Sequence, residues 1–140
     1  MRMRVLTQTT KGKLLAIADE VTKLIDADKA TDVIMPAYPC DGERLIVIIA
    51  TAKPNMPESF CRFVRSLKKS VTANVAFIID GTHENAAAIV EMAKTNNANV
   101  IEDNILYLDG GLPLKFLKKV SHEEMAKVKN WVDEIKSSLA

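Results

Sequence analysis

The chain predicts a doubly wound α/β domain, with five parallel strands in the order 2-1-3-4-5 between helices on both faces, three layers in all. Three observations carry this reading. Residues 44–50 (RLIVIIA) and 74–79 (NVAFII) are continuous apolar runs rich in β-branched side chains, as expected of strands covered on both faces. Segments with apolar residues at three- and four-residue steps alternate with such runs, so strands and helices take turns along the chain. Right-handed crossovers then leave few ways to wind five strands, and 2-1-3-4-5 is the simplest. A length of 140 residues suits one domain, 1–140, with a core of its own.

Each element has a local reason. Arg4, Val5 and Leu6 close a short apolar run that reads as the first strand. Gly12 opens a helix in which Leu14, Ile17, Ala18, Val21, Leu24 and Ile25 share one face, and Asp26, Ala27 and Asp28 end it. Residues 30–35 read as the second strand, stopped by Pro36, and 37–43, with Pro39 and Gly42, as a loop. After the third strand, Pro57 suits the first position of a helix, where its missing N–H costs nothing. Met56, Phe60, Phe63, Val64 and Leu67 form the buried stripe of that helix.

The fourth strand ends at Asp80-Gly81, and Thr82 is the expected N-cap of a helix running to Asn97 with Ala86, Ile89, Val90 and Ala93 inward. Residues 99–101 and 105–108 read as one edge strand interrupted by a turn at Asp103-Asn104. Ser121-x-x-Glu124 is a capping box that starts the last helix, with Met125, Val128, Val132, Ile135 and Leu139 on one face and Trp131 beside them.

Composition excludes several classes. The net charge is +1, with Lys and Arg spread along the chain, so the electrostatic footprint of a nucleic-acid binder is missing. The longest pure apolar run, 45–50, is far too short to cross a bilayer, and MRMRVL is too short for the core of a signal peptide, so no membrane partner is expected. Cys40 and Cys61 stand far apart and form no C-x-x-C pair, which reads as reduced thiols in a cytoplasmic protein without a structural zinc. No G-x-S-x-G elbow is present and neither Cys sits in a phosphate-type loop, so no residue is assigned a catalytic role.

In an open α/β sheet, ligands bind outside the carboxyl ends of the strands, where the winding reverses. Here that crevice lies between the first and third strands, and three loops surround it. The first, 7–13, contains Thr7, Gln8, Thr9, Thr10, Lys11, Gly12 and Lys13. Its hydroxyls, its lysines, its glycine and the unpaired N–H groups of the following helix make a natural anion site, against the plain reading of a capped helix with solvated lysines. The second carries Thr51, Ala52, Asn55 and Met56: an amide that can pair with a ring edge, and a soft apolar surface that equally fits the helix's core stripe. The third carries Asp80, Gly81, Thr82 and His83; a turn and a cap account for the first three, and a lone His is commonly a surface residue. His122, inside the capping box, reads as structural or exposed.

These residues resemble the flavodoxin-like family over nearly the whole chain. The segment VLTQTTKGKLLAIADEV is similar to the family's strand-loop-helix opening, whose phosphate loop reads Ser/Thr-x-Thr-Gly-x-Thr before an aliphatic-Ala pair; the matched positions are Thr9, Lys11, Gly12 and Leu14, with Ile17-Ala18 as the pair. RLIVIIATAKPNMPESFCRFVRSL is similar to the third strand and its helix, including Asn55, Met56 and Pro57, and VAFIIDGTHENAAAIVEMAKTNNANVIED to the fourth strand, fourth helix and fifth strand. The resemblance implies non-covalent binding of flavin mononucleotide (FMN), with its phosphate on the first loop and its isoalloxazine between the second and third. It implies electron transfer or flavin-dependent oxidoreductase chemistry with a redox protein partner.

The chain departs from the family pattern in three ways. Lys11 and Leu14 replace hydroxyls of the phosphate loop; the lysine can serve as a point charge, but Leu14 cannot donate. No Trp or Tyr occurs in the second or third loop, leaving ring stacking to Met56 and His83. The balance of charge is near neutral, where electron-carrier flavodoxins tend to be acidic. A second reading is therefore a module that has lost flavin and binds a protein partner or another phosphorylated ligand. A response-regulator receiver shares the winding but needs an acidic cluster after the first strand and an Asp ending the third, where Thr7-Gln8 and Thr51 stand.

Overall fold

The computed structural model describes residues 2–7, 13–24, 28–29, 43–67, 74–108 and 122–138. The strands are β1 (Arg2–Thr7), β2 (Asp28–Lys29), β3 (Glu43–Thr51), β4 (Val75–Asp80) and β5 (Leu106–Leu108). The helices are α1 (Lys13–Leu24), α2 (Glu58–Arg65), α3 (His83–Ala93) and α4 (His122–Ser138). All strand pairs are parallel and the order is β2-β1-β3-β4-β5, the winding expected from the alternation of elements.

The period of two in the strands divides the core between the two faces of the sheet. Leu6, Ile46, Ile48 and Phe77 pack toward α2 and α3, whose Phe60, Phe63, Val64, Ile89 and Val90 meet them. Val5, Val47, Ile49 and Ile78 pack toward α1 and α4, against Ile17, Val21, Val128, Trp131 and Ile135. Residues 45–50 are buried on both sides, which is why no polar residue alternates through them. The helical stripes of α2, α3 and α4 are the ones their periodicity predicts; Met125 is half-buried and Leu139 lies outside the described residues.

Four expectations are corrected or left outside the described residues. Asp28, expected to finish the first helix, instead belongs to β2, where Asp28 and Lys29 pair with Arg4 and Val5; the expected strand 30–35 lies outside the described residues. Pro57 stands one residue before α2 as its N-cap, at φ −56° and ψ 144°, because its fixed φ suits extended backbone as well as a helical turn. Helix α3 stops at Ala93 rather than Asn97. Lys94 is its C-cap, and Asn97 takes φ 65°, a left-handed conformation that asparagine tolerates and that turns the chain back toward the sheet. Ser121 lies outside the described residues, so the capping box is left as a sequence reading.

The edge of the sheet is built as expected, in two pieces. Val100 makes a single bridge to Val75, and β5 then pairs with Ile78, Ile79 and Asp80. Trp131 on α4 donates from Nε1 to the Asn104 carbonyl (2.8 Å), pinning the turn between the two pieces. Among the described residues no helix is long and apolar enough to cross a membrane.

Candidate functional site

Helices α1 and α2 follow neighbouring strands but cover opposite faces of the sheet, so the chain leaving β1 and the chain leaving β3 turn apart at the same edge. That divergence is a topological switch point, and a crevice outside the carboxyl ends of β1 and β3 follows from it. Thr7 ends β1 in register with Ile49, and Lys13 begins α1. Gln8, Thr9, Thr10, Lys11 and Gly12, the rest of the proposed anion loop, lie outside the described residues, as does Cys40.

The second and third loops meet directly. The Ala52 N–H donates to the Asp80 carbonyl (2.8 Å), continuing the β3–β4 ladder past the strand ends. The Thr51 hydroxyl donates to the Asp80 carboxylate at 3.2 Å, so both acceptor groups of Asp80 serve this junction. Gly81 lies at φ +144°, and a Cβ built there would come within 2.8 Å of the Ala52 carbonyl oxygen. Only glycine fits so close to another backbone in this conformation. A turn residue is thus also a contact residue.

Met56 is half-buried against the α2/α3 side of the core, and its sulfur accepts from the Lys53 N–H at 3.3 Å. It therefore closes its own loop as well as extending the helix stripe. The Cys61 thiol, half-buried on α2, sits 3.8 Å from the Met56 carbonyl. Asn55 is exposed. Thr82 caps α3 as expected, its hydroxyl accepting from the Asn85 N–H at 3.1 Å.

His83, the first residue of α3, lies with its imidazole parallel to the Tyr107 ring, centroids 3.7 Å apart and planes 11° from parallel. Tyr107 was not among the residues the sequence singled out. The signal was available: in the order 2-1-3-4-5 the fifth strand runs beside the fourth, and Tyr107 stands one residue before that strand's carboxyl end. The structure thus brings Thr51, Ala52, Asp80 and Gly81 into one junction, with His83 two residues further along the chain, stacked on Tyr107. Asn55 is the outer part of the second loop, and Thr82 is engaged by its own helix. Among the described residues no three His, Cys, Asp or Glu side chains gather to hold a metal.

No protein-family model matches the chain, and neither does any curated protein. Solved structures do. Oxidised flavodoxin 2 from Bacillus cereus matches over 99% of this chain and 100% of its own, with a TM-score of 0.64 at 13% identity. A short-chain flavodoxin associated with a bacterial microcompartment matches over 100% of both chains, with a TM-score of 0.61 at 12% identity. Similarity at this level of identity speaks to the fold. The chain has a flavodoxin-like fold throughout the comparison.

Proposed function

We propose that this flavodoxin-like chain binds FMN non-covalently at the switch point and serves electron transfer or flavin-dependent reduction. The observation that supports the reading is the winding β2-β1-β3-β4-β5, whose reversal between β1 and β3 sets the start of α1 and the joined second and third loops at the carboxyl end of the sheet. Its donor set suits the cofactor. Thr7, Thr9, Thr10, Lys11, Gly12 and Lys13 offer hydroxyls, backbone N–H groups at a helix start and two cationic charges for a phosphate. In this reading the second loop, with Ala52, Asn55 and Met56, and the third, with Asp80, Gly81, Thr82 and His83, receive the flat ring. Bound FMN supplies one- and two-electron redox chemistry; the chain's part is to bind, orient and shield it.

A colour test decides the matter. Purified protein, or protein mixed with FMN and passed over a desalting column, is expected to show flavin absorbance bands and to quench the fluorescence of added FMN at one equivalent. A colourless protein that leaves the fluorescence of added FMN unchanged overturns the proposal. The second reading, a flavin-free module for another phosphorylated ligand or a protein partner, draws on the second loop, TAKPNMP, which has no aromatic ring. It predicts that inorganic phosphate raises the unfolding midpoint as much as FMN does.

A further inference from the structure

The third loop ends in an aromatic pair assembled from two elements. His83 is exposed at the start of α3, whereas Tyr107 is the half-buried middle residue of β5, packed against the core beneath α2 and α3. Each partner is anchored separately. Tyr107 is in register with Ile79 on β4, and the Thr82 cap fixes the first turn of α3. An exposed side chain at a helix start samples several rotamers, and ordering it has an entropic cost. The parallel contact at 3.7 Å restricts the imidazole to one plane before any ligand arrives.

We propose that Tyr107 is a positioning residue for the candidate site, holding the His83 imidazole as a flat plate on whose outer face an unsaturated heterocycle stacks. The inference rests on the flavin reading, in that isoalloxazine is the heterocycle. Two further observations support it. The second loop has no aromatic side chain, and its methionine sulfur is turned back onto the Lys53 N–H, so on the described part of the two loops His83 is the aromatic surface. His83 also stands two residues from Gly81, where a Cβ would meet the Ala52 carbonyl oxygen of the second loop.

FMN fluorescence titrations of the wild type, His83→Ala, His83→Phe, Tyr107→Leu and Tyr107→Phe test the plate, together with NMR of the His83 ring protons in flavin-free protein. His83→Ala and Tyr107→Leu are each expected to weaken FMN by about three- to tenfold, the worth of one aromatic contact. Their double variant should lose no more than His83→Ala alone. His83→Phe and Tyr107→Phe should bind close to wild type. Tyr107→Leu should shift the His83 ring protons downfield, as the neighbouring ring current is lost, and Tyr107→Phe should restore them.

Wild-type affinity in His83→Ala overturns the plate, and this exposed variant decides even where Tyr107→Leu unfolds. Additive losses in the double variant overturn the role of Tyr107 as acting through His83. Both results leave the flavin reading standing. A wild-type protein that does not bind FMN overturns that reading and the plate with it.

Discussion

The two ends of the sheet are joined by different means. Where β4 begins, side-chain ties are added to main-chain bonds from Ile46 to Asn74, from Val75 to Asn99 and from Ile101 to Val75. Asn74, 1% exposed, accepts from the Asn99 amide at 2.8 Å, while its carbonyl accepts from the Ile46 N–H at 3.0 Å. The Asn96 amide donates to the Arg65 carbonyl at 2.7 Å, tying the end of α3 to the end of α2, and Lys94 pairs with Glu102 at 2.9 Å. Where β4 finishes, the joint is mainly backbone on backbone, Ala52 to Asp80 and Gly81 against Ala52, with Thr51 as a side-chain addition. One end spends its polar side chains on itself. The other closes with main chain and leaves Asn55, Thr82 and His83 exposed, and that is the end at which a ligand crevice belongs.

The largest test of this contrast is Gly81→Ala. A left-handed backbone and a Cβ within 2.8 Å of the Ala52 carbonyl combine strain with a clash that a rigid main-chain atom cannot relieve cheaply. The expected loss is about 2–4 kcal/mol in urea unfolding, together with weakened FMN binding. A loss below about 0.5 kcal/mol, the scale of an ordinary surface change, would show that the main-chain contact does not hold this end together.

Asn74→Ala attacks the opposite end. It removes a buried acceptor and leaves a cavity lined by polar backbone, with an expected cost of about 1–3 kcal/mol. FMN affinity should be unchanged, because Asn74 lies at the far end of β4 from the crevice. Weakened binding in this variant would mean that the two ends are energetically coupled.

The asymmetry between the ends was only partly legible in the sequence. The winding was readable because 45–50 and 75–79 are apolar without alternation, and two-sided burial is what such runs require. Thr82 was readable as a cap because capping depends on residues three apart. Ties across strands were not. Asn74 read as the polar start of a strand, and its pairing with Asn99 needs the register of Val75 against Val100, which periodicity does not supply. Asp28 and Lys29 were not legible as strand because both are charged, and their strand character comes from pairing with β1. Tyr107 was missed for the same reason: its stack with His83 joins residues 24 apart in the chain, through the neighbouring positions of β4 and β5.

Thr82→Ala ranks next in size. It removes one hydroxyl acceptor at an exposed helix start, and caps of this kind contribute about 1 kcal/mol. Because α3 begins at His83, fraying of its first turn should also loosen the aromatic pair, visible as movement of the His83 ring protons in NMR. A cost exceeding that of Asn74→Ala would show that this exposed cap is worth more than the buried side-chain tie at the opposite end.

The smallest expected effect comes from the ion pair at the closed end, and its pH dependence identifies its source. The Lys94 ammonium is held above its ordinary pKa of 10.5, first by the hydrogen bond to Glu102, then by that carboxylate's charge and by Glu91. A lysine whose pKa is higher folded than unfolded adds stability that is fully present below the unfolded pKa and disappears as pH rises through the folded one. Glu102→Gln should therefore lower the urea midpoint slightly at neutral pH, less so in high salt, and approach the wild type at a pH above the raised Lys94 value. If the gap between the two proteins kept its size in strong alkali, charge would not be its cause. Packing of the Glu102 stem, or its place in the turn before β5, would then be what ties this end of the sheet.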